Sequence, residues 1–125
     1  MQSDKNILVL VVDDDDDLRE ALVANLEYEG FSVLAAASGN EALKVLLANP
    51  KINFVLSDIR MNDGDGIELL TQIRKIDPKI PVVCLISGYS GVSKAKIIEM
   101  GAIDLISKPP DIKLIFKYVR ESVAS

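Results

Sequence analysis

At 125 residues the chain is one domain's worth of sequence, and with 49% apolar residues it buries a core rather than staying disordered. A net charge of −5 supplies no basic stripe for direct nucleic-acid binding, and the absence of histidine excludes imidazole catalysis and histidine metal ligation. The longest apolar run, Ile7 to Val12, is too short to cross a bilayer and is followed at once by aspartates, so it reads as neither a membrane span nor a signal peptide.

In chain order, Ile7 to Val12 is aliphatic and β-branched, which predicts a strand buried on both faces. After Asp13 to Asp17, the spacing of Leu18, Ala21, Leu22 and Leu26 predicts a helix that Gly30 stops. Phe31 to Ala36 is a second strand. Ser38-Gly39-Asn40-Glu41 is a capping-box pattern that opens a helix through about Ala48, with Pro50 ending the segment. Phe54 to Leu56 is a third strand and leads straight to Asp58. Gly66 to Ile76 places Ile67, Leu70 and Ile73 on one helical face, and Asp77-Pro78 closes it. Val82 to Ile86, after Pro81, is a fourth strand. A helix from about Val92 to Met100 stops at Gly101. Ile103 to Ile106 is a short fifth strand, and Asp111 to Val123 is a last helix with Ile112, Ile115, Phe116 and Val119 inward. Cys84, the one cysteine, lies in an apolar run and reads as core. Without a disulfide framework the setting is expected to be reducing and cytoplasmic.

Strands alternating with helices predict an α/β fold: a doubly wound, five-stranded parallel sheet, a (βα)5 flavodoxin-like three-layer sandwich. The loops after strands one, three, four and five then meet at one edge, where such sheets place their chemistry. Those loops carry Asp13 and Asp14, Asp58, Ser87 and Lys108. Three carboxylates about 4 Å apart repel by about 4 kcal/mol per pair at an effective dielectric near 20, so they call for a cation. Carboxylate ligands beside phosphate oxygens suit Mg²⁺, with Mn²⁺ a possible substitute. A carboxylate beside that ion can attack a phosphoryl group, while a lysine and a hydroxyl neutralise and hydrogen-bond the phosphoryl oxygens. Asp15, Asp16 and Asp17 are read as residues favouring a helix N-terminus.

Four motifs stand in order: Val11-Val12-Asp13-Asp14, Asp58-Ile59-Arg60-Met61 followed by Asp65-Gly66, Ile86-Ser87-Gly88, and Lys108-Pro109. From Lys5 to about Val123 the chain resembles a receiver domain of the two-component response regulators. The resemblance implies that Asp58 is the phosphoacceptor, taking its phosphoryl group from a phosphohistidine on a sensor histidine kinase or a histidine phosphotransfer protein. It also implies that Asp13 and Asp14 hold Mg²⁺ with Asp58 and the main-chain carbonyl of Arg60. Ser87 matches the switch hydroxyl, Lys108 the family lysine, and the Lys108–Pro109 peptide is expected to be cis. Such a domain is a regulator rather than an enzyme, catalysing at most its own phosphorylation and dephosphorylation. The whole chain, 1–125, is expected to be a single receiver domain with its core at about 5–123 and no output domain after Ser125. A homodimer through the fifth strand and last helices is the expected route to self-association. Neither direct nucleic-acid binding nor a membrane is expected.

Two residues depart from the family pattern. Asn62 stands where proline is usual, which predicts a less rigid loop after Asp58. Leu105 replaces the usual aromatic of the fifth strand, so the signal is expected to run through the Ser87 to Gly91 loop, with Tyr89 as its marker. Two other functions compete. A haloacid-dehalogenase-type phosphatase would use Asp13 and Asp15, but Asp17 breaks its motif. A receiver-like interaction module that is never phosphorylated would not need the acidic, hydroxyl and lysine set. A calcium loop at Asp63-Gly64-Asp65-Gly66 is rejected because Met61 and Gln72 occupy its required acidic positions. Asp65-Gly66 reads instead as turn chemistry before the third helix.

Overall fold

Five short apolar segments pair into one parallel sheet in the order β2-β1-β3-β4-β5. The strands are β1 (Leu8–Val12), β2 (Ser32–Ala36), β3 (Phe54–Asp58), β4 (Val82–Ser87) and β5 (Asp104–Ser107). Between and after them run α1 (Asp16–Glu29), α2 (Gly39–Ala48), α3 (Gly66–Ile76), α4 (Lys94–Glu99) and α5 (Ile112–Glu121), with a 3₁₀ turn at Asp4–Asn6. This computed structural model describes residues 4–88 and 91–123. Among them, no helix is long and apolar enough to cross a membrane. The strand–helix alternation read from the sequence is therefore the observed architecture, and β3 runs two residues further than its apolar run, so that Asp58 is its last residue.

Because side chains alternate along a strand, each strand feeds two cores. On one face Leu10, Val12, Val55, Val83 and Leu85 meet Ala42 of α2, Leu69, Leu70 and Ile73 of α3, and Ile97 of α4. On the other face Val9, Val11, Phe54, Leu56, Cys84 and Ile86 meet Leu22 and Leu26 of α1 and Ile115 and Val119 of α5. Each fully buried aliphatic side chain stabilises by about 1.5–3 kcal/mol, so both faces contribute substantially. Burial pushes the Cys84 thiol up to about 12, as befits a core residue. Of the residues whose spacing predicts α1, Ala21 is exposed, and Val23 packs towards the core.

The helix ends follow local chemistry. Asp15 caps α1, its carboxylate accepting from the N–H groups of Asp17 and Leu18, and Gly30 closes the helix at φ 112°, where only glycine is unstrained. Ser38 caps α2 by accepting from Glu41 N–H, while Glu41 reaches back to Ala37 N–H rather than to that of Ser38. Asp65 caps α3 by accepting from Glu68 N–H, in line with the turn reading of Asp65-Gly66. The last helix starts one residue after its cap, Asp111, and α4 is shorter than its apolar spacing suggests, starting after the cap Ser93.

Candidate functional site: an acidic cluster with one lysine

The order of strands reverses at β1: β2 lies on one side of it and β3 on the other. A crevice opens at the carboxyl ends of the two strands flanking such a reversal. Strand register decides what reaches it. Val12 pairs with Ser57, Asp58 with Ile86, and Ser87 with Ser107, so Asp13, Asp58, Ser87 and Lys108 all emerge at one edge. The ladder continues just past the strands: Asp13 N–H donates to Ala36, Ile59 N–H to Ile86, and Lys108 N–H to Ser87.

The carboxylates of Asp13, Asp14 and Asp58 each place an oxygen within 4.8 Å of the others. Asp13 and Asp58 are buried, at 1% and 6% exposure, while Asp14 is open to solvent. Lys108 Nζ donates to Asp58 Oδ2 at 2.7 Å. Ser87, 5% exposed, ends the adjacent β4. Burial raises the Asp13 carboxyl above its usual value, and the charges of Asp58 and Asp14 add to this against the opposing Asp15 N–H bond. For Lys108, burial alone would lower the ammonium, but the hydrogen bond and charge of Asp58, then the charges of Asp13 and Asp15, raise it on balance.

Three carboxylates converge here, and Lys108 pairs with one of them, Asp58. An all-oxygen donor set of this kind fits a hard divalent cation. Arg60 follows β3 and lines an open groove with Asp14, Ile59, Met61, Asn62, Asp65 and Val92 at the same edge. Asp13, Asp14, Asp58, Ser87 and Lys108 are thus brought to one place. Asp15, Asp16 and Asp17 serve the start of α1, as read. Tyr89 lies outside the described residues. The Lys108–Pro109 peptide is cis as expected, and so is Ile80–Pro81, which the sequence reading did not anticipate.

Reading by residue type missed several contributors. Arg19 donates to the Asp13 carbonyl at 2.8 Å and to Asp16 at 2.6 Å, holding the acidic turn to α1. Its position three residues after Asp16 was the available signal. Behind Leu105, Asp104 accepts from Tyr118 Oη at 2.6 Å and pairs with Lys94 at 3.2 Å, linking α4, β5 and α5. The loop after Asp58 is also better anchored than the loss of proline suggested. Asp63, at φ 59°, accepts from Asn40 Nδ2 and from Ser38 Oγ, and the Gly64 carbonyl accepts from Gly39 N–H at 2.8 Å. A Cβ on Gly39 would stand 2.5 Å from that carbonyl oxygen, so only glycine permits the approach.

The model of the response regulator receiver domain matches residues 9–120. Over 121 residues, 97% of this chain, the sequence is 34% identical to the transcriptional regulatory protein GlrR of Escherichia coli (strain K12), covering 27% of that protein. It is 42% identical over 102 residues to the C4-dicarboxylate transport transcriptional regulatory protein DctD of Rhizobium meliloti, covering 81% of this chain and 22% of that one. The chain thus spans about a quarter of the length of these curated relatives. Among solved structures, a receiver domain protein from Clostridium thermocellum superposes with a TM-score of 0.87 at 25% identity, covering 94% of each chain. A chain of the CheX-CheY-BeF3-Mg+2 complex from Borrelia burgdorferi gives 0.85 at 30% identity, covering 95% of this chain and 90% of that one. With its sheet order, its edge of carboxylates and its lysine, the chain belongs to the response regulator receiver domain family.

Proposed function

We propose that this domain is a phosphorylation-dependent signalling switch in which Asp58 accepts a phosphoryl group from a phosphohistidine of a sensor histidine kinase or histidine phosphotransfer protein. The observation that carries the reading is the buried Asp58 carboxylate, with an oxygen within 4.8 Å of two further carboxylates and paired at 2.7 Å with Lys108. An Asp58 oxygen attacks phosphorus, the P–N bond breaks, and its electron pair leaves with the imidazole. Water later cleaves the aspartyl phosphate and restores the carboxylate. Asp13, Asp14, Asp58 and the Arg60 carbonyl are the groups that would hold Mg²⁺, or Mn²⁺ in its place. When bound, the ion offsets the charge that gathers on the phosphoryl oxygens. Lys108 neutralises one phosphoryl oxygen after exchanging its Asp58 contact, and the Ser87 hydroxyl donates to another.

The modified state is read through the Ser87 to Gly91 loop, and Ser87 also lines, with Val92, Lys94 and Asp104, a groove beside Leu105. A phosphoryl contact to Ser87 that exists only in the modified state biases the loop between β4 and α4. The same face, with β5 and the last helices, is the surface through which a homodimer would form. A reducing, cytoplasmic setting suits a domain whose one thiol is buried. The test is intact-mass analysis after acetyl phosphate and Mg²⁺. One phosphoryl group on the wild type, none without Mg²⁺ and none on Asp58→Asn are expected. Equal labelling of wild type and Asp58→Asn would refute the assignment, and sustained turnover of a generic phosphate monoester would favour the phosphatase reading.

A further inference from the structure

Each carboxylate of the acidic cluster accepts a hydrogen bond that orients it. Asp13 Oδ1 accepts from Asp15 N–H at 2.9 Å, and Asp58 Oδ2 accepts from Lys108 at 2.7 Å. Asp14 Oδ2 accepts from the main-chain N–H of Asn62 at 3.1 Å, across 48 positions of sequence. Asp14 is solvent-exposed, so its rotamer depends on what holds it, whereas packing constrains Asp13 and Asp58.

We propose that the Asn62 main-chain N–H is a positioning group that presents the Asp14 carboxylate to a divalent cation. The inference rests on the reading of Asp13, Asp14 and Asp58 as a Mg²⁺ site. A carboxylate has two oxygens with about four lone-pair positions, so an N–H bond on Oδ2 leaves the other oxygen for the ion. The donor is itself held on both sides. Asn40 N–H donates to the Asp63 carbonyl at 3.1 Å, and Gly66 N–H donates to the Ile59 carbonyl at 2.9 Å. A ligand oriented before the ion arrives loses less side-chain freedom on binding. Proline at position 62 would have no N–H to offer. The residue that looked like a loss of stiffness is therefore a gain of one donor, and the asparagine side chain is not the operative part.

The test uses the full chain and Mg²⁺ alone, without a phosphodonor, with affinity read by calorimetry and by amide shifts. Asn62→Pro removes the donor, and Asn62→Ala keeps it. Freeing one side chain corresponds to a loss of about three- to tenfold in Mg²⁺ affinity for Asn62→Pro, with Asn62→Ala within about twofold of wild type. Equal or tighter binding by Asn62→Pro, or an equal loss in Asn62→Ala, overturns the proposal. Should Asn62→Pro not fold, the Asn62 amide proton decides. It is expected to move upfield in Asp14→Ala and to hold its position as Mg²⁺ saturates the wild type. A proton indifferent to Asp14→Ala, or one shifted upfield by Mg²⁺, overturns the proposal. A wild type that binds no Mg²⁺ defeats the metal-site reading itself, a result distinct from a wild type that binds and an Asn62→Pro variant that binds equally well.

Discussion

Replacing Asp13 with asparagine should stabilise the metal-free protein while disabling its site. Asn keeps an oxygen where Asp15 N–H donates, so the shape of the turn is retained. The substitution removes repulsion from Asp58 and Asp14, whose oxygens lie within 4.8 Å. One such pair costs about 3.5 kcal/mol at a dielectric near 20. Lys108 cancels much of the Asp58 charge, and solvent screens exposed Asp14, so a net gain of about 1–2 kcal/mol is expected for Asp13→Asn in chelator. At this size each kcal/mol moves Tm by about 3–5 °C, so the variant should melt about 3–10 °C higher. On the proposed Mg²⁺ reading, the ion at about 100 times its Kd should add about 2.7 kcal/mol to the wild type and reverse the order. The advantage in chelator should also depend on pH. Folding raises the Asp13 carboxyl above its ordinary 3.8, so its charged form costs stability above the folded value, and that cost disappears as pH falls below 3.8. The gain from asparagine should therefore shrink on acidification. Urea denaturation in chelator and in Mg²⁺, at several pH values, is the assay. A variant no more stable than wild type in chelator at neutral pH would refute the reasoning.

Two further outcomes follow from the packing around the site. Gly66→Ala would drive a Cβ into the Asp58 carbonyl oxygen and should cost about 2–3 kcal/mol in urea denaturation, whereas a wild-type midpoint would show that the β3–α3 loop yields freely. Tyr118 is pushed up to about 12 from 10, first by its hydrogen bond to Asp104, then by burial and by the charge of Asp104. Its phenol therefore favours the fold below pH 10, a contribution lost as pH rises to about 12, and Asp104→Asn should return its ultraviolet titration towards 10.

The sheet was legible because both of its cores are made from apolar runs that announce buried parallel strands: Ile7 to Val12, Phe54 to Leu56 and Val82 to Ile86. Helix starts were legible where a capping side chain acts on its own neighbours, as Ser38 and Asp65 do. The convergence of Asp13, Asp14, Asp58 and Lys108 followed from parallel topology, since Asp58 ends β3 and the other three stand just past β1 and β5. What escaped was contact between backbone atoms distant in sequence. The Asn62 N–H looks the same as any other N–H in a sequence, so its bond to Asp14 left no trace in residue type. Likewise, the tie between Asp63 and the start of α2 depends on a positive φ that aspartate only sometimes adopts. Asp104 was hidden by standing at the mouth of an apolar strand, where its partners Lys94 and Tyr118 come from two other elements.

Having every strand point the same way makes the two edges of the sheet unequal in how much change they can absorb. A residue inserted between Phe54 and Asp58 would turn Asp58 to the opposite face and take it out of reach of Lys108. An insertion between Ile76 and Pro81, at the far end, would leave all four strand registers as they are. There Leu47, Ile76 and Ile80 already lie open to solvent, and none of the acidic cluster is near. Length variation and grafted tags are thus expected to be tolerated between Ile76 and Pro81, while a single residue added within β3 is expected to dismantle the site.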